Sequence, residues 1–213
     1  NPGIKRGVKN IKKNKRNFKG VLGISIGKNR QTSLEDAYKD YRFCMQESYE
    51  VADYLAVNIS SPNTEGLRKL STKEFLEDLI CEINKEKVEL EKKYLKKVPI
   101  LFKLSPDESD ENLKNIIDLS LSNGISGFIL TNTLKGDCLG ISGGISGELL
   151  KERSNSVLKK AKKIVSNECI LISSGGISSK SDVEERMSNG ANLIQIYTSF
   201  IYKGPEIIEE LLN

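Results

Sequence analysis

Apolar and polar positions along the chain follow two alternating rhythms. Short, β-branched apolar runs occupy 21–26 (VLGISI), 54–58 (YLAVN), 100–104 (ILFKL), 127–131 (GFILT), 170–174 (ILISS) and 192–196 (NLIQI). Between them lie longer segments of helical period at 34–50, 73–97, 110–122, 148–166, 181–189 and 205–212. In 73–97, Phe75, Leu76, Leu79, Ile80 and Ile83 fall on one stripe, as a helix covering a sheet requires. Asp107–Asp110 and Ser179–Ser181 offer N-caps, and Gly124 and Gly190 stand where left-handed C-caps are expected.

Strand–helix alternation with apolar strands predicts a parallel sheet covered by helices. Two α/β architectures compete, an open doubly wound sheet and a (β/α)₈ barrel. In an open sheet, ligands gather at one switch point, so only some strand ends carry polar chemistry. In a barrel all strand ends meet at one mouth. Here nearly every run ends in polar residues: Gly27-Lys28, Asn58, Lys103, Thr131-Asn132, Ser173-Ser174 and Tyr197-Thr198. The barrel is therefore predicted. Six runs are readable where a barrel has eight strands, so the expectation is a single barrel domain over 1–213 lacking its N-terminal units.

Composition narrows the chemistry. The 213 residues include no His, which removes Ser-His-Asp and Cys-His catalysis and His-based zinc sites. Cys44, Cys81, Cys138 and Cys169 are scattered without a C-x-x-C pair and read as reduced thiols. No metal site is expected. No apolar run approaches the ~20 residues that cross a bilayer. The chain opens NPGIKRG rather than with Met, so targeting information could have been lost. Residues 1–20 hold eight basic side chains and no acidic ones. That run suits an anionic patch for nucleic acid or membrane, or the solvated face of a helix turning Ile4, Val8 and Ile11 inward. The lack of interleaved aromatics favours the helix face, and no nucleic-acid partner is expected.

Candidate chemistry sits at the strand ends. Glycine clusters at 142–147 (SGGISG) and 173–178 (SSGGIS) suit backbone donors approaching a phosphate, and the second precedes the last strand, where barrels commonly bind one. Lys103 interrupts an apolar strand. It either snorkels to the rim or meets negative charge, such as that on a reduced flavin. Asn58, Asn63, Asn132 and Thr133 present amides and a hydroxyl suited to a planar polar ligand, although any single Asn can merely cap a turn.

The stretch VNISSPNTEGLRKL at 57–70 resembles the active-site loop of the dihydroorotate dehydrogenase family, in its quinone-dependent class 2. The resemblance continues through LGISIGKN (22–29), FKLSPD (102–107), LTNT (130–133), GGISG (143–147), SSGGISS (173–179) and GANLIQIYTSF (190–200), and NPG resembles the end of a further family segment. It implies a (β/α)₈ barrel binding FMN, oxidation of dihydroorotate to orotate in pyrimidine biosynthesis, and ubiquinone as acceptor. It further implies Ser61 as catalytic base, where class 1 has Cys. Asn58, Asn63, Asn132 and Thr133 would bind orotate. Ser25, Asn58, Lys103, Thr131, Gly147, Gly176, Tyr197 and Thr198 would bind FMN. A monomer is expected, associated with the mitochondrial inner membrane through a segment outside this chain.

Two departures stand out: Ser25 occupies a position that is Asn in many relatives, and the segment between Thr131 and Gly147 is short. Alternatives are another FMN barrel, of dihydropyrimidine or dihydrouridine type, or a non-catalytic phosphate-binding fragment.

Overall fold

The computed structural model describes residues 3–14, 18–138 and 140–213. Asn1 and Pro2 of the opening NPG, and Lys15 and Arg16 of the basic run, lie outside the described residues. All six predicted strands form, within one or two residues of their expected ends: β1 (Gly23–Gly27), β2 (Tyr54–Asn58), β3 (Ile100–Leu104), β4 (Gly127–Leu130), β7 (Ile170–Ser174) and β8 (Leu193–Gln195). Two more, β5 (Leu134–Cys138) and β6 (Ile141–Ile145), make an antiparallel hairpin of their own.

The six-stranded sheet runs β1-β2-β3-β4-β7-β8, parallel at every step. A doubly wound sheet reverses its strand order at a switch point. This order never reverses, as in a barrel wall, so the fold is an α/β (β/α)₈-type barrel represented by six parallel strands.

Side-chain alternation sorts the strands into two faces. Outward residues Leu55, Val57, Phe102, Leu104, Phe128 and Leu130 join the main core. They pack with Tyr41 and Met45 of α2 (Ala37–Ser48), Leu76, Ile80 and Ile83 of α3 (Lys73–Tyr94), and Ile116 of α4 (Asp110–Ser122). Each such side chain contributes about 1.5–3 kcal/mol on burial. Emptying the fully buried Phe102 position by Phe102→Ala would cost about 3–5 kcal/mol. The inward face carries its own small cluster of Ala56, Leu101, Ile129 and Ile172. That cluster plugs the barrel floor and leaves the strands' C-terminal ends for polar residues.

The N-terminal basic run forms α1 (Ile4–Asn14), with Val8 buried and the lysines exposed, which is the solvated helix face. Ser109 caps α4 by accepting from the Asn112 N–H, as expected. Beyond the predictions, a 3₁₀ turn at Gly147–Leu150 precedes α5 (Lys151–Ile164). After α6 (Lys180–Ser188), a short α7 (Thr198–Lys203) intervenes before α8 (Ile207–Leu212). The 142–147 cluster, expected as a phosphate loop, is mostly strand. Residues 142–145 pair within the hairpin, and only Ser146 and Gly147 reach the cavity described below.

Candidate active site

The register that builds the wall also builds the site. Asn58 pairs with Lys103 across β2 and β3, and Ser174 with Gln195 across β7 and β8, all at inward positions near the strand ends. The Lys103 ammonium donates to Gln195 Oε1 at 2.8 Å. Burial holds the Lys103 pKa below its ordinary value, and among the described residues no carboxylate offsets that effect. A largely buried cation with a neutral partner is an open invitation to negative charge.

Beside it lies a network of amides and hydroxyls. Asn58 Oδ1 accepts from Asn132 Nδ2 at 3.1 Å and from the Ser60 N–H at 3.2 Å. Asn132 Nδ2 also reaches Ser60 Oγ at 3.1 Å, and the Ser60 hydroxyl donates to the Lys103 carbonyl at 2.5 Å. Asn132 Oδ1 takes the Thr133 N–H at 2.9 Å. From outside the sheet, the buried Tyr41 hydroxyl donates to the Asn58 carbonyl at 2.8 Å, and burial raises that phenol above its usual range. Both asparagines are thus locked in orientation. Among the described residues none accepts from Asn58 Nδ2, which leaves that donor for a ligand.

Eight of the twelve predicted site residues line one cavity of about 460 Å³: Lys103, Thr131, Asn132, Thr133, Gly147, Gly176, Tyr197 and Thr198. Gly176 has φ +70°, and a Cβ there would lie 2.5 Å from Lys151 Cβ, so only glycine fits. Thr198 opens α7, whose first-turn amides have no intrahelical acceptor by geometry. Its hydroxyl donates to Ser146 Oγ at 3.0 Å. Among the described residues, Thr133 Oγ1 is buried without a partner.

Ser25, Asn58 and Ser61 line a second cavity with Gly27, Lys28 and Thr64. Ser61 Oγ accepts from the Asn63 N–H at 3.3 Å. Asn63 itself is exposed in an outer cleft with Ser61, Pro62 and Arg68. So the structure puts Ser61 and Lys103 in adjoining cavities rather than one, joined by the Asn58–Asn132 hydrogen bond. The hairpin closes over the Ser61 loop at Gly144, where a Cβ would lie 2.1 Å from Thr133 Oγ1 and 3.2 Å from Pro62 Cγ. Arg68 ties the pieces together, donating to the Ser60 carbonyl at 3.2 Å, the Thr133 carbonyl at 3.0 Å and Asp107 Oδ2 at 2.5 Å.

Gln195, Ser60 and Arg68 were not among the predicted site residues. Gln195 had a signal, a polar residue at an inward position of an apolar strand. Arg68 had none, because its three partners come together only in the fold.

A parallel barrel wall whose mouth combines a partly buried lysine, locked asparagines and a glycine-framed cavity defines a class, that of α/β barrels with a polar site at the strands' C-terminal ends. A family model described as dihydroorotate dehydrogenase matches residues 1–213, and the chain belongs to that family. A relative from Legionella pneumophila (strain Corby), dihydroorotate dehydrogenase (quinone), is 40% identical over 220 residues, covering 100% of this chain and 66% of the relative. The protein of the same name from Psychromonas ingrahamii is 41% identical, with 65% of it covered. The crystal structure of DHODH in complex with ferulenol from Eimeria tenella has a TM-score of 0.86 at 30% identity, covering 98% of this chain and 60% of that one. The chain thus spans just under two thirds of the length of these curated relatives.

The relatives correct one expectation. The curated relatives of about 40% identity come from Legionella, Aliivibrio and Psychromonas, bacteria without mitochondria, so the mitochondrial inner membrane is overturned as the location. Among the described residues, no helix is long and apolar enough to cross a membrane.

Proposed function

We propose that the full-length protein oxidises dihydroorotate to orotate, with FMN as cofactor and a quinone as electron acceptor. The observation that carries this reading is the partly buried Lys103 ammonium, held by a neutral amide beside the locked Asn58–Asn132 pair. The residues fit FMN: among the described residues Lys103 has no counter-charge, and Gly147 and Gly176, both at positive φ, line the cavity with bare backbone. When bound, FMN supplies the two-electron acceptor that no side chain here provides.

On this reading Lys103 and Thr131 would contact the isoalloxazine, and Ser25 and Asn58 would also contact the FMN. Gly147, Gly176, Tyr197 and Thr198 hold the ribityl phosphate. Asn58, Asn63, Asn132 and Thr133 grip the planar acid, and their fixed donors and acceptors select its edge pattern. Ser61 Oγ removes the C5 proton. A serine hydroxyl is a weak base, so its own proton must pass by a relay to solvent water as the substrate proton arrives. The Asn63 N–H donating to Ser61 Oγ favours the oxygen's charged form and lowers the cost of that exchange.

The test is anaerobic addition of dihydroorotate to the full-length protein. The flavin absorbance should bleach and then recover when a soluble quinone is added. A flavin band that dihydroorotate leaves unchanged would rule the reading out.

A further inference from the structure

Arg186 on α6 is fully buried, yet none of its hydrogen bonds goes to a carboxylate. Its Nη2 donates to the carbonyls of Gly175 (3.0 Å) and Lys151 (2.7 Å). Its Nη1 donates to the hydroxyls of Ser154 (2.9 Å) and Ser173 (3.3 Å). The Ser154 hydroxyl sits within 2.9 Å of the same two carbonyls, Gly175 and Lys151. One guanidinium therefore joins the turn after β7 to the turn before α5. These are the two glycine-bearing segments that frame the first cavity.

The consequence follows from peptide geometry. The Gly175 carbonyl and the Gly176 N–H belong to one planar trans unit and point in opposite directions. Pulling that carbonyl back toward Arg186 turns the Gly176 N–H outward, on the side where Gly176 lines the cavity. Arg186 also places a buried positive charge one peptide behind that donor. A neutral ligand gains little from such a charge, whereas an anion gains both the charge and the aimed donor.

We propose that Arg186 is a positioning residue for a phosphate in the first cavity, aiming the Gly176 N–H and supplying the charge behind it. This rests on the FMN reading. It assigns the preference for the phosphorylated flavin to a side chain that does not touch it.

The test compares FMN with riboflavin, which lacks the phosphate, by fluorescence titration of the full-length apoprotein. Arg186→Gln keeps an amide donor but removes the charge, and Ser154→Ala removes only the relaying hydroxyl. Arg186→Gln should lower FMN affinity roughly ten- to a hundredfold, and Ser154→Ala by roughly two- to tenfold, with riboflavin affinity unchanged in both. Folding is checked by thermal melting; if Arg186→Gln does not fold, Ser154→Ala decides alone. Wild-type preference for FMN over riboflavin retained in the folded variants would overturn the role of Arg186 and leave the functional reading standing. A wild-type protein that binds neither flavin would overturn both.

Discussion

Lys103 and Gln195 are 92 positions apart in sequence and bonded at 2.8 Å. Their strands, β3 and β8, are separated in the sheet by β4 and β7. In a flat sheet three strand spacings would hold the two backbones about 14 Å apart, with side chains standing parallel and unable to meet. The bond forms only because the wall curls inward, so it reports barrel curvature directly. It also shows what the curvature is for. Lysine and glutamine converge over the floor of Ala56, Leu101, Ile129 and Ile172, where a ligand plane can rest.

Lys103 is therefore expected to be a liability without ligand and an asset with it. Its folded pKa lies below the ordinary lysine value because burial disfavours the charge. The cost of keeping it charged is in full force at neutral pH and is relieved as pH rises through that lowered pKa. Lys103→Met should stabilise the apoprotein at pH 7 by about 1 kcal/mol, with the advantage shrinking toward alkaline pH. The same variant should slow flavin reduction by about 10²–10³-fold. Urea melts of apoprotein across pH, with stopped-flow absorbance, measure both.

Ser61 gives a sharper kinetic prediction. Ser61→Ala removes the proposed base and should lower the flavin reduction rate by about 10²–10⁴-fold, with FMN affinity unchanged because the proposed role of Ser61 is toward the substrate proton and not the flavin. Ser61→Cys should restore part of the rate, with a profile rising toward the ordinary thiol pKa of about 8.5. A Ser61→Ala enzyme reducing at the wild-type rate would remove Ser61 from the chemistry.

How much of this was legible beforehand depends on whether the signal was periodic. The six sheet strands and the stripe on α3 follow from burial on one or both faces, which writes itself into the sequence. The β5–β6 hairpin is different. It pairs only with itself over the rim, and Gly136, Gly143 and Gly144 replace the alternation that would mark it. The site residues were read from polar groups at strand ends and from the family resemblance, which is why Asn58, Lys103 and Asn132 were found. Arg186 reads in sequence as one more charge on a polar helix, because the oxygens it binds belong to 151, 154, 173 and 175 and meet only in three dimensions.

Asp182 provides a stability test of the turn behind Gly176. Burial alone would raise its pKa. The Lys151 ammonium at 2.6 Å and the Ser178 and Ser179 N–H groups outweigh that and hold it at about 2. A carboxyl lowered in the folded state stabilises above its unfolded pKa of about 3.9, and the contribution is lost as pH falls toward 2. Asp182→Asn should cost about 2 kcal/mol at pH 7. Wild type and variant should converge between pH 4 and about 2 in denaturant melts. A gap that stays constant over that window would mean the loss comes from packing rather than charge.

The last prediction concerns how the Ser61 loop is held. Arg68 spreads three donors over three segments: the Ser60 carbonyl beside the proposed base, the Thr133 carbonyl at the start of the hairpin, and the Asp107 carboxylate in the loop after β3. A planar fork can meet all three at once, whereas a single ammonium cannot. Arg68→Lys keeps the charge and the pair with Asp107 but frees the loop from the hairpin. A displacement of about 1 Å at a reacting group costs about 10²-fold, so kcat/KM for dihydroorotate should fall by that order. FMN affinity should stay within about twofold, because the glycine turns and Arg186 lie at the other end of the first cavity. If FMN affinity fell in step with kcat/KM, Arg68 would be holding the whole barrel mouth in shape, and the separate mechanical role of the Ser61 loop would be lost.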